Sequence, residues 1–257
     1  MRNGILLTLS YLLLFITNST SACSTIPEDI TNIIKKNHEI ILVGEYHGTK
    51  ESPEYFYNII CNAIDLTSKK VIVEIELIDG DIKLDGNNEN LKKEVKKSHI
   101  WNSQHDGKTS IAMFTLLKEL NKLKKENSID VIFFDSEAEE RDLVMAANLK
   151  EHVTKDNLVI ALTGNRHNKI KHGNSWDPMS KNMGAYMKDM GINIASINLI
   201  AEGGTAWICI SECAKHDLDR VKLNDKNEVF NAGSNSSYQY HWKIGIVNSS
   251  APELFIP

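Results

Sequence analysis

The sequence predicts an α/β fold in which a mostly parallel or mixed central sheet carries helices on both faces, in a single domain. Three observations predict it. Short runs rich in Val and Ile alternate along the chain with stretches whose apolar residues recur at helical spacing. Two of the apolar runs end in the same pattern, Gly-x-x-His, at Gly44 to His47 and at Gly164 to His167. Prolines number only 5 and no repeat is visible, so nothing marks a linker between domains. Strands that alternate with crossover helices pack as one sheet covered on both sides.

At the amino terminus, Met1 and Arg2 precede an apolar run from Ile5 to Ile16 that is too short for a comfortable membrane span. The small residues Thr20-Ser21-Ala22 follow, as at a cleavage site. The expectation is an export signal over 1–22 and an α/β domain over 23–257, periplasmic or secreted. Cys23 opens an alternative, lipid attachment at that cysteine, which would be the only route to a membrane. The leucine-like residue usual three places before a lipidated cysteine is Thr20 here, which ranks plain secretion ahead. Loss of the leader removes Arg2 and no acid, making the formal charge of −5 one unit more negative. That balance excludes nucleic acid as an expected partner, because phosphate binding needs a concentrated basic face.

The elements follow in order. His38 to Gly44 is an apolar strand ending in Glu45-Tyr46-His47, and Ser52-Pro53-Glu54 opens a helix with Tyr55, Ile59 and Ala63 on one side. Lys70 to Leu77, KVIVEIEL, is a buried-type strand. Asp79 to Ser98 turns polar and lysine-rich and reads as a solvated excursion with a short helix, with a lid as the sharper alternative. Thr109 to Glu126 has helical spacing, Ile129 to Phe134 is a strand, and Glu139 to Val153 an amphipathic helix. Leu158 to Leu162 carries the second Gly-x-x-His. Beyond a loop containing Trp176 and Pro178, a helix is expected around Met183 to Met190. Strands are then expected over Ile192 to Leu199, Thr205 to Ile210 and Trp242 to Val247.

Four cysteines bear on compartment. Cys209 and Cys213 lie four apart after a strand-like run, a spacing suited to a small disulfide loop in an oxidising compartment. A zinc reading of that pair is weaker, since only His216 is near. Cys23 and Cys61 could bridge, stay free, or lose Cys23 to lipid.

The chemistry rests on polar residues in apolar company. Glu45 and His47, two apart on extended backbone, point the same way. His167 reaches the same rim if its strand is a neighbour. Glu74 interrupts VIVEIEL, and a carboxylate there needs a partner or a function. Glu76 shares its face and is read as marking the strand's end. Arg141 is a candidate anion clamp. The catalytic set is therefore Glu45, His47, Glu74, Arg141 and His167. The candidate ligand set for a divalent metal is His47, His167 and Glu45.

GEYH and GNRH, with VIVEIEL and EERDLVMAANL between them, resemble the superfamily that groups erythromycin-esterase-like proteins, ChaN haem-binding lipoproteins and Tiki proteases. WNSQHDGKTS is similar to a family stretch that usually reads Asp-Gly-Arg, with Lys108 in place of the arginine, and GGTAWICISEC and NSSAP are similar to ChaN-like pieces. The resemblance implies a compact α/β fold with Glu45, His47, Glu74, Arg141 and His167 in one pocket. It also implies hydrolysis of a small-molecule or peptide ester or amide, or else haem binding. In the hydrolase reading His47, oriented by Glu45 or Glu74, deprotonates water, Arg141 stabilises the oxyanion, and His167 is a second base, acid or ligand. The alternative is a haem or iron-binding module with Tyr46, His47, Met183 or Met187 as axial ligand, although no Cys-x-x-Cys-His is present.

Overall fold

A computed structural model describes residues 23–253 apart from 79, 81, 104, 127, 175–176 and 220–226. The expected leader and Trp176 lie outside the described residues. In chain order the elements are α1 (Glu28–Lys35), β1 (Ile40–Glu45), α2 (Glu51–Leu66), β2 (Lys70–Ile78), α3 (Asn88–Lys97), α4 (His99–Ser103), α5 (Ile111–Lys125) and β3 (Ile129–Asp135). They continue with α6 (Arg141–Glu151), β4 (Asn157–Gly164), α7 (Met183–Asp189), β5 (Ile194–Cys209), β6 (Cys213–Leu218), β7 (Val229–Asn231) and β8 (Tyr240–Val247). The sheet runs β3-β2-β4-β1-β5-β8-β7, with β6 added to the outer part of β5. Its central pairs are parallel, and β6 and β7 pair antiparallel, so the sheet is mixed as expected.

Both faces are covered, and the alternation of β1 shows how. Ile41 and Val43 face a core built with Phe56 of α2, Leu91 of α3 and Leu117 of α5. Ile40 and Leu42 face the opposite core, with Met145 and Leu149 of α6 and Met183 and Met187 of α7. A central parallel strand buried on both sides reads as a continuous apolar run, as this one does. At about 25 cal/mol per Å², each fully buried Leu or Ile contributes roughly 2 kcal/mol relative to exposure.

The structure departs from expectation at three elements. α1, EDITNIIK, was not anticipated, although Ile30, Ile33 and Ile34 bury one face at helical spacing. α3 is the short helix expected in the polar stretch, capped by Asn87, but it is not solvated throughout, since Leu91 and Val95 are fully buried. The two strands expected at 192–199 and 205–210 are one strand, β5. It continues through Gly203 and Gly204 because both adopt positive φ at a register shift against β8.

Cys209 is bonded to Cys213 across the β5–β6 hairpin, as expected, and Cys23 to Cys61 of α2. The second bond is the bridged alternative for that pair. Two disulfides are compatible with an exported protein. Among the described residues no helix is long and apolar enough to cross a membrane.

Candidate active site

The two Gly-x-x-His motifs leave adjacent strands. β1 and β4 pair in parallel with Gly44 opposite Thr163 and Glu45 opposite Gly164, so the motifs reach the same carboxyl edge one residue out of step. β2 flanks β4 on its other side and β3 flanks β2. Four successive strand ends thus present Asp135, Glu76, Gly164 and Glu45 in a row, the usual place for chemistry in an open α/β sheet.

Glu76 is the centre of this row. It is nearly buried, and its Oε2 accepts from the Gly164 N–H at 2.6 Å and the Thr163 hydroxyl at 2.8 Å. Its Oε1 accepts from Arg141 Nη2 at 2.7 Å. Arg141 opens α6 and also grips Asp135, through Nε to Oδ1 at 2.7 Å and Nη2 to Oδ2 at 2.8 Å. Lys108 Nζ lies 3.2 Å from Asp135 Oδ2 and 3.7 Å from Glu76 Oε1.

Each histidine is held by its own carboxylate. His47 Nδ1 is 2.9 Å from Glu45 Oε1, and its Nε2 is 3.7 Å from Glu76 Oε2. His167 Nδ1 is 2.7 Å from Asp142 Oδ1, which also accepts from the Met183 N–H at 2.7 Å. His167 Nε2 lies 3.4 Å from Arg141 Nη1 and 3.8 Å from Glu76 Oε1. A guanidinium only donates, so the network assigns His167 Nε2 as acceptor and places its proton on Nδ1, facing Asp142.

Charge concentrates at His47 and Glu76. Burial alone would favour a neutral His47, but the Glu76 and Glu45 carboxylates outweigh it and push the ring's pKa up to about 10. Burial likewise works against an ionised Glu76, yet His47, His167 and Lys108 hold that carboxyl well below its usual range. Glu45 is raised by burial, with the His47 hydrogen bond opposing. Asp135 and Asp142 are lowered despite burial, chiefly by Arg141 and His167 respectively. The network therefore carries imidazolium at His47 and carboxylate at Glu76 at neutral pH.

Glu45, His47, Arg141 and His167 come together at this edge, and Glu74 does not. Glu74 and Glu76 do share a face, as expected, but α6 runs over that face and meets Glu76 with its first residue and Glu74 with its carboxyl end. There His152 Nδ1 lies 3.0 Å from Glu74 Oε1, out of line for a hydrogen bond. Burial, with the charge of Glu151, raises the Glu74 carboxyl to about 9. The strand-end acid set aside in the sequence thus holds the centre, and the mid-strand acid is a core residue. Sequence reasoning gave Lys108 and Asp142 no place in the site and missed Asp135, although an acid closing an apolar strand, as in IDVIFFD, is a usable signal.

The expected ligand set of His47, His167 and Glu45 is not assembled as one. Among the described residues no group of three His, Cys, Asp or Glu side chains converges on a metal position. The donors are already committed: Glu45 and Asp142 hold the two Nδ1 atoms, and the guanidinium of Arg141 lies between His167 and Glu76. Of the expected haem ligands, Met183 and Met187 are buried in the core and cannot reach a ligand at the edge, whereas Tyr46 is 44% exposed beside His47. A separate, largely apolar cavity of about 660 Å³ lies elsewhere, between α2, α5 and residues 249–251.

No family model and no curated protein matches the chain. Solved structures do. A Bacillus cereus protein is 11% identical, with 88% of this chain and 93% of that one covered, at a TM-score of 0.57. A succinoglycan biosynthesis protein is 8% identical, with 86% and 91% covered, at 0.54. ChaN of Campylobacter jejuni, described with cofacially bound haem, is 14% identical, with 67% and 85% covered, at 0.39. The first two likenesses are of fold, an α/β architecture that hosts unrelated chemistries.

Proposed function

We propose that the protein is a hydrolase that cleaves an ester or amide bond in a small molecule or peptide with a water activated at the paired Gly-x-x-His edge. One observation carries this reading: two imidazoles, each held at Nδ1 by a carboxylate, direct Nε2 at the same carboxylate. Two imidazoles so oriented on one carboxylate can divide acid and base roles between them.

The sequence reading made His47 the base. Its proton, held by Glu45 and Glu76, favours the opposite assignment. His167 Nε2 accepts a proton from water as the water oxygen attacks the acyl carbon, and Asp142 stabilises the imidazolium that forms. Arg141, with Lys108 behind it, faces the developing oxyanion. His47 then gives its Nε2 proton to the departing alkoxide or amine as the acyl–heteroatom bond breaks. Solvent returns the proton from His167 to His47. Export to an oxidising compartment suits the two disulfides.

The test is a screen of simple esters, lactones and peptides with the wild-type chain and the His47→Ala and His167→Ala variants. Turnover is expected to fall at least ~100-fold in both variants with circular dichroism unchanged. Full residual activity in either would remove that residue from the mechanism. Elemental analysis and absorbance of the same preparations address the other readings: stoichiometric divalent metal lost in both variants would restore a metal centre, and a Soret band on adding haem would favour the haem module.

A further inference from the structure

Beyond β1 on the same sheet, Asn198 of β5 lies opposite Gly44 on one side and opposite His241 of β8 on the other. The His241 ring is flanked by Phe230 and Tyr238, with centroids 5.4 and 5.5 Å away. Its Nε2 is 3.5 Å from the hydroxyl of Ser236, in the turn that leads into β8, and its Nδ1 is 3.4 Å from the side-chain nitrogen of Asn198. Ser236 Oγ accepts the Tyr238 N–H at 3.1 Å, so its own proton is left to donate. Asn198 is 9% exposed, and its Oδ1 has no hydrogen-bond partner among the described residues.

The polarity of the chain depends on which end of the Asn198 amide faces His241 Nδ1. The two ends of an asparagine amide are assigned from the network, and a half-turn presents Oδ1 to the ring. Asn198 then accepts Nδ1–H, which makes His241 Nε2 the acceptor for the Ser236 hydroxyl. Nucleophile, base and orienting group stand in the order that activates a serine. Burial lowers the His241 pKa, which keeps the ring neutral and able to accept.

We propose that Ser236, with His241 as base and Asn198 as the positioning residue, is a second nucleophilic centre that accepts an acyl group from an activated carboxylic ester. Ser236 Oγ bonds to the acyl carbon while its proton passes to His241 Nε2. The bond from that carbon to the ester oxygen breaks, and the alcohol leaves with that proton. Water then adds to the acyl-serine, with His241 again taking and returning the proton, and releases the acid. This centre forms a covalent intermediate, whereas the edge of His47 and His167 works on water directly. The Tyr238 hydroxyl donates to Asn165 O at 2.8 Å, which ties the serine's turn to the Gly164–His167 loop.

The experiment treats the full chain, and separately its His47→Ala variant, with diisopropyl fluorophosphate and follows intact mass and peptide mapping. A single adduct on Ser236 is expected in both proteins, since the first site takes no part in it. The adduct should vanish in Ser236→Ala and form at least ~10-fold more slowly in His241→Gln. Asn198→Asp, a stronger acceptor for Nδ1–H, should retain labelling and displace its pH midpoint upward, which a merely structural role would not do. No adduct on Ser236 in protein that melts cooperatively overturns the proposal, as does an unchanged rate in His241→Gln. If His241→Gln fails to fold, an unmoved pH midpoint in Asn198→Asp overturns it instead. Loss of hydrolysis in His47→Ala and loss of labelling in Ser236→Ala are separate readouts, so either site can fail without the other.

Discussion

Arg141 and Glu76 meet at 2.7 Å between the first residue of α6 and the carboxyl end of β2, and this contact joins the cationic and anionic halves of the site. Glu76→Gln keeps the shape and removes the charge that both histidines and Lys108 face. His47 should then titrate well below about 10, because its largest favourable contribution is gone. Breaking a buried ion pair typically costs about 3–5 kcal/mol, so the variant should also be less stable. A proton NMR titration of the ring checks the first expectation and denaturant unfolding the second. An unshifted His47 would mean that Glu76 does not hold its charge.

The raised pKa of His47 fixes a direction for stability against pH. The folded protein binds that proton more tightly than the unfolded chain, whose histidine titrates near 6.5. The contribution is therefore full below pH 6.5 and is lost progressively as pH rises to about 10. Melting temperature should fall across that window in the wild type and fall less steeply in His47→Gln. Parallel curves for the two proteins would contradict the assigned charge.

Gly164 is required by space. A Cβ there would lie 2.9 Å from His47 Nε2 and 3.6 Å from both Glu76 Oε2 and His167 Cδ2, in the middle of the site. Gly164→Ala should displace His47 and reduce turnover more than ~10-fold while changing stability by no more than roughly 1–3 kcal/mol. Turnover and urea midpoints measured together check it, and wild-type turnover in the variant would place the reacting atoms elsewhere.

Much of this arrangement was legible in the sequence, for a physical reason. A parallel strand buried on both faces is a continuous apolar run, so β1, β2 and β4 announced themselves, and a glycine and histidine just past such a run mark the sheet edge. Which strands are neighbours depends on crossovers that no local pattern records, and that adjacency turns Gly44 and Gly164 into one site. The choice between Glu74 and Glu76 failed for the same reason. Both alternate onto one face, and only the path of α6 decides which meets Arg141 and which meets His152. α1 escaped notice because its three buried isoleucines are set among charged and amide side chains.

Glu74 supplies the sharpest contrast with the site. Its carboxyl is buried, lacks a hydrogen-bond partner among the described residues, and is raised to about 9 by burial. The folded protein therefore holds that proton more tightly than the unfolded chain, whose glutamate titrates near 4.5. Stability is lost as pH rises from 4.5 through about 9, a window that opens two units below that of His47. Glu74→Gln keeps the neutral form permanently, so it should unfold at a higher temperature than the wild type at pH 8 and show little advantage at pH 4.5. Because Glu74 meets His152 rather than either site histidine, the same variant should retain turnover within about threefold, whereas Glu76→Gln should lose it by at least ~100-fold. Thermal scans at the two pH values, with ester hydrolysis measured alongside, separate the two acids. Loss of activity in Glu74→Gln with its fold intact would return the mid-strand carboxylate to the mechanism.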